Sequence, residues 1–108
     1  MKIRDDVVIV SKNMEQVTWL NRRGIYGKLK PTIHPEDAIG KHIIGAVPLQ
    51  IAEKAKTVSI IDCKPMGLLK TKDMSTEQLE ANGAKLKTYV IIPCNEDQSK
   101  ELFNGFSY

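Results

Sequence analysis

Val7-Val8-Ile9-Val10-Ser11-Lys12-Asn13 decides the fold. Four consecutive apolar, β-branched residues suit a strand covered on both faces, as in a parallel sheet packed between helices. The polar triplet ends that run, and Asn13 stands as a helix N-cap with Gln16 three residues later, the spacing of a capping box. The helix so opened carries Met14, Val17 and Leu20 on its apolar face and runs to Arg22-Arg23, with Gly24 as its stop. A strand that passes directly into a helix N-terminus presents backbone N–H groups and the positive end of a helix dipole at the carboxyl edge of the sheet. That edge suits anions.

Further along, Ile44-Gly45-Ala46-Val47-Pro48 repeats the same device. Lys41 to Ile44 predicts a strand, Pro48 sits where the first turn of a helix tolerates proline, and Leu49 to Ala55 has helical spacing. Between the two devices, Tyr26 to Ile33 predicts a strand that Pro31 confines to an edge, and His34 to Gly40 a loop with a short helical turn. Thr57 to Ile61 is a further buried strand, and Asp62 to Asp73, with Pro65 and Gly67, is a loop long enough to be functional. Ser75 caps a third helix with Gln78 as its box partner, Gly83 ends it, and Lys85 to Ile92 is the last strand. The expected order is β-α-β-β-α-β-α-β in one domain over residues 1–94. Residues 95–108 form a polar C-terminal extension with a late Leu102-Phe103 and Phe106.

Right-handed crossovers then give an α/β fold: a small, doubly wound, mostly parallel sheet with helices on both faces and the first strand at its centre. With the second strand on one side of it and the third on the other, the two turns flank one crevice at the topological switch point, the usual ligand position in such sheets. The candidate site is therefore Ser11, Lys12 and Asn13 from the first turn, with Gly45, Ala46, Val47 and Pro48 from the second. Lys12 supplies a point charge for a phosphate, and Gly45 lets backbone come close to a ligand. Ser11 and Asn13 are equally the residue types that cap helices, and Gly45 the type that makes a turn, so both readings stand at this point.

Composition narrows the function classes. A chain of 108 residues, 42% hydrophobic and 27% charged, can bury roughly two-thirds of its unfolded surface as one domain. A formal charge of +3 favours acidic partners mildly, but the Lys and Arg residues are spread along the chain instead of gathered as on a duplex DNA-binding face. Cys63 and Cys94 lack metal-site spacing, His34 and His42 lack a second ligand, and no metal is expected. Neither a secretory signal nor a membrane-spanning run is evident, which predicts a reduced, cytoplasmic protein. With no P-loop and no G-x-G-x-x-G, nucleoside triphosphate and dinucleotide cofactors have no support. Trp19 lies at the polar margin of the first helix and suits the core or a dimer contact. Lys70-Thr71-Lys72 could close over an anion or remain a solvated loop.

The two turns also carry a resemblance. Ile9-Val10-Ser11-Lys12-Asn13, followed by Trp19 and Gly24, resembles the "VSRH…W…G" opening of a family of small CRISPR-associated accessory proteins of type III systems. His34-Pro35-Glu36-Asp37 and Ile43-Ile44-Gly45-Ala46-Val47-Pro48-Leu49, with Ala52-Glu53, are similar to the family's "HLDP…VIGTLPV..AAE". Met74 to Leu79, Gly83 to Leu86 and Tyr89-Val90 resemble its "ELSxEEM…GAxLxxY.V" close. Residues 6 to 92 are covered in order, and the tail beyond Cys94 is not.

The resemblance implies a Rossmann-like homodimer acting on cyclic oligoadenylate, the second messenger of type III antiviral defence. Members resemble ring nucleases, hydrolases that cut the messenger and switch the response off; cyclic tetra-adenylate is the expected ring, with a six-membered ring left open, and with no metal-ligand cluster in the chain the cleavage expected is metal-independent. Attack by a ribose 2′-OH on the adjacent phosphorus needs in-line positioning and donors to the phosphoryl oxygens. Lys12 and two helix N-termini suit the donors, and Ser11 the positioning of the 2′-OH or scissile phosphate. The sequence departs from the family pattern at two places: the basic-histidine pair is Lys12-Asn13, and the threonine of the second turn is Ala46. If that imidazole or hydroxyl carried the chemistry, the protein would be a binding module that sequesters the ring without cutting it.

Overall fold

The computed structural model describes residues 3–64 and 69–103. A five-stranded sheet is ordered β2-β1-β3-β4-β5, with β1 Arg4–Ile9, β2 Gly27–Leu29, β3 His42–Ile44, β4 Thr57–Asp62 and β5 Lys85–Tyr89. The first four strands are parallel and β5 runs antiparallel to β4, so the fold is a small, mostly parallel, Rossmann-like α/β sheet. β1 sits between β2 and β3, which puts the reversal of winding where the sequence places it. The register pairs Val8 with Ile43 and Ile9 with Ile44, so β1 and β3 end side by side.

Helices cover both faces. On one, α1 Met14–Arg22 and α4 Thr76–Ala81 pack over Val7, Ile9 and Ile44 around a core of Trp19, Leu20, Met74 and Leu79. On the other, the one-turn helices α2 Pro35–Ala38 and α3 Leu49–Ala52 bring Ala38 and Ala52 against Ile43 and Val58. The alternation along β1, with Val7 and Ile9 entering one cluster and Val10 packing on the other, is the period-two signature of a strand buried on both faces. Full burial of each Ile or Leu in these layers contributes about 1.5–3 kcal/mol.

Several elements differ from expectation for identifiable reasons. β2 lies at the edge that Pro31 predicted but is only three residues long, stopping short of that proline, which cannot donate to a ladder. The Leu49–Ala55 helix stops at Ala52: Pro48 offers no side-chain cap, and the chain tightens through Lys54 N to Ile51 O (3.1 Å) and Ala55 N to Ala52 O (3.2 Å). β5 ends at Tyr89, short of Ile92. Trp19 is fully buried in the core, and the polar margin seen in the sequence is the Arg23 guanidinium, which lies 3.8 Å from the ring centroid. Arg23 is itself held by the Glu80 carboxylate of α4 at 2.8 and 3.2 Å. The C-terminal extension forms α5 Glu96–Leu102, capped by Asn95, with no buried residue. Pro65 and Gly67 of the long loop, and Phe106 of the tail, lie outside the described residues. No helix among the described residues is long and apolar enough to cross a membrane.

Candidate functional site

The ends of β1 and β3 open into a cleft of about 900 Å³ at the switch point. Two backbone bonds shape its back wall, Val10 N to Ile44 O and Gly45 N to Ser59 O, both 2.8 Å, which carry the ladder one residue beyond the strands. This draws the two turns together. Gly45 takes φ +135°, and a Cβ there would collide with the Val10 carbonyl oxygen. The glycine is thus required by contact between the two strand ends.

Of the residues singled out from sequence, Ser11, Lys12, Asn13, Gly45 and Ala46 line this cleft. Val47 and Pro48 do not. Val47 packs with the α2–α3 cluster on the opposite face, and Pro48 is the N-cap of α3. Because α3 is a single turn, the second helix N-terminus expected at the crevice is much weaker than that of the nine-residue α1.

The first turn is closely bonded. The Ser11 hydroxyl accepts from Asn13 N (3.0 Å) and can donate to Gln16 Oε1 (3.0 Å) or Asn13 O (3.2 Å). Asn13 caps α1 by accepting from Glu15 N (2.9 Å), while its amide donates to Lys72 O (2.7 Å). Gln16 does not close the expected capping box. Its amide turns to Ser11 and, at 3.4 Å, to the Thr71 carbonyl oxygen. Asn13 and Gln16 therefore fasten a short 3₁₀ turn, Thr71–Asp73, onto the N-terminus of α1, and all three residues of that turn line the cleft.

This turn is the part of the site that sequence reading undervalued. Its only local signal is two lysines, Lys70 and Lys72, in a loop; its place at the cleft depends on bonds that span 59 and 55 residues of chain. The remaining wall is apolar, with Ile9, Leu20, Ile44, Ile60, Ile61 and Pro31. Lys12 is exposed and has no ion pair among the described residues, and the same holds for Lys72. A cleft with an apolar wall and cationic lips suits a ligand that joins anionic groups to flat apolar ones.

Neither histidine belongs to it. His42 Nδ1 is 2.8 Å from the Thr57 hydroxyl at the start of β3 and β4, the far end of the sheet, and His34 precedes α2, its backbone N–H donating to Asp37 at 3.1 Å. Among the described residues, no group of three or more His, Cys, Asp or Glu side chains is placed to hold a metal ion. Cys63 is half-buried with its Sγ 3.8 Å from Met74 Sδ, and Cys94 is exposed. Comparison with protein-family models, curated proteins and solved structures finds no match to the chain.

Proposed function

We propose that the protein binds cyclic oligoadenylate in the switch-point cleft and cleaves it without a metal ion. The observation that supports this best is the meeting of the Ser11-Lys12-Asn13 turn with the Gly45-Ala46 turn over one apolar-walled cleft, with Lys12 at its lip in no ion pair among the described residues. Phosphates would sit at the cationic lip and adenines against the apolar wall. Cleavage proceeds by attack of a ribose 2′-oxygen on its adjacent phosphorus: the 2′-O–P bond forms, the bond to the 5′-oxygen breaks, and the proton passes to that leaving oxygen. The products are a 2′,3′-cyclic phosphate and a free 5′-hydroxyl. Lys12 stabilises charge on the phosphoryl oxygens, and the Ser11 hydroxyl orients the 2′-OH or the phosphate. A two-fold dimer would place two such clefts on a two-fold symmetric ring.

One observation favours a second reading, in which the protein holds the ring without cutting it. The Ser11 hydroxyl and the Asn13 side chain are both engaged in fixing the turns, and no histidine lines the cleft. Titration of wild-type protein and Lys12→Ala with cyclic tetra-adenylate, combined with sedimentation, tests what the two readings share. Tight binding that Lys12→Ala weakens, by a protein that sediments as a dimer, is expected. Absence of binding, or a strict monomer with and without the ring, contradicts the proposal.

A further inference from the structure

The Thr71–Asp73 turn is more than wall. It reaches the cleft through two side-chain-to-backbone bonds from the first turn of α1 and its N-cap, Asn13 Nδ2 to Lys72 O at 2.7 Å and Gln16 Nε2 to Thr71 O at 3.4 Å. Both bonds are made to main-chain carbonyls, so they fix the path of the turn and leave the Lys72 side chain unoccupied. That side chain is exposed, lines the cleft and has no ion pair among the described residues. Lys12, adjacent in sequence to the Asn13 that fastens the turn, has the same three properties. Two cations from distant parts of the chain are thereby brought to one lip, at the positive end of α1. Two like charges lining one cleft, neither of them in an ion pair among the described residues, favour an anion that both can approach. The turn also carries Asp73, a carboxylate that lines the same cleft and opposes such a ligand.

We infer that Lys72 is a second phosphate-binding residue of the cleft, acting with Lys12 on the phosphodiester, and that Asn13 and Gln16 are the positioning residues that hold it there. This rests on the reading of the cleft as the cyclic oligoadenylate site. It also assigns Asn13 a purpose: its side-chain oxygen caps α1 and its side-chain nitrogen carries the turn, so one residue sets both halves of the lip.

The test is binding of cyclic tetra-adenylate to full-length protein over a range of salt concentrations, for wild type, Lys12→Ala, Lys72→Ala, Lys72→Arg, Asp73→Asn and Gln16→Ala. Lys72→Ala is expected to raise Kd about tenfold to a hundredfold and to lower the slope of log Kd against log salt by about one. Lys72→Arg should restore most of the affinity and the slope, and Asp73→Asn should tighten binding. Gln16→Ala, which frees one end of the turn, should weaken binding without changing the salt slope, because it removes no charge. Thermal melts of the Lys72 variants should match wild type, since the side chain is exposed. If wild type and Lys72→Ala bind equally while Lys12→Ala is weakened, the inference is wrong and the reading of the cleft survives. If wild type does not bind the ring at all, the reading itself fails and the inference falls with it.

Discussion

Replacing Gly45 by alanine tests how the cleft is built. The residue holds φ +135°, a region that L side chains rarely adopt, and its new Cβ would meet the Val10 carbonyl oxygen and lie 3.3 Å from the Val10 Cβ. Backbone strain in this region costs about 1–3 kcal/mol. Relieving the collision means separating the ends of β1 and β3, which are joined there by the 2.8 Å bond from Val10 N to Ile44 O; forced overpacking of this kind costs a further ~1–3 kcal/mol. The sum, about 2–6 kcal/mol, is a large share of the ~5–15 kcal/mol that holds a domain of this size together. Urea unfolding followed by circular dichroism should show the midpoint lowered by about 1 M or more with little change in slope. Gly83→Ala is the matched control: φ is +67° there, but among the described residues no atom beyond its chain neighbours lies within 4 Å of the position its methyl group would take, so only the left-handed penalty of about 1–2 kcal/mol applies. If Gly45→Ala is no more costly than Gly83→Ala, the close approach of the two strand ends does not organise the site.

Acid should destabilise the fold through three carboxylates held below their ordinary values: Glu80 chiefly by its hydrogen bond from Arg23, Asp6 by that from Arg4, and Asp37 by the His34 backbone N–H. A depressed folded-state value means the contribution is present above the ordinary values of 3.8 and 4.5 and is lost as pH falls through the lower, folded ones. Unfolding midpoints should therefore fall below about pH 4.5, less steeply in Glu80→Gln, and an unchanged acid limb in that variant would contradict the role given to Arg23. Lys12→Ala should weaken ring binding by about 1.5–3 kcal/mol, the range for a charge-assisted hydrogen bond, which isothermal titration resolves. Leu79→Ala, truncating a fully buried side chain between α4 and the sheet, should cost about 2–5 kcal/mol in urea unfolding; a loss under about 1 kcal/mol would place that layer wrongly.

Local chemistry made much of the fold legible. The apolar run from Val7 became the inner strand β1, which ends at Ile9 between β2 and the middle strand β3, and Asn13 and Ser75 both cap helices through side-chain oxygens. The Ser75–Gln78 box closes in both directions, at 2.8 and 3.1 Å. The corresponding box at Asn13 failed because Gln16 had better partners than its own helix terminus: the Ser11 hydroxyl beside it and the Thr71 carbonyl from a distant loop. The same distance hid the Thr71–Asp73 turn, since nothing near Lys72 in sequence announces that Asn13 will bond to it. At the other turn, spacing alone put Val47 and Pro48 with Gly45 and Ala46, yet the chain leaves the cleft after Ala46, and Val47 serves the opposite core. A motif read as a unit was divided by the sheet between its two faces.

The proposed reaction, in which the switch-point cleft cuts a cyclic oligoadenylate with this chain's own side chains, is open to one direct test. Incubating pure protein with radiolabelled cyclic tetra-adenylate in excess EDTA, and resolving intact, linear and protein-bound species over time, measures it directly. Linear products ending in 2′,3′-cyclic phosphate are expected, formed at the same rate with or without EDTA. Ser11→Ala should lower that rate more than it lowers affinity, as expected for an interaction made mainly in the transition state. Tight binding of a ring that stays intact would leave the protein as a sequestering module, and cleavage that EDTA abolishes and manganese restores, or that proceeds undiminished in Ser11→Ala, would contradict the mechanism.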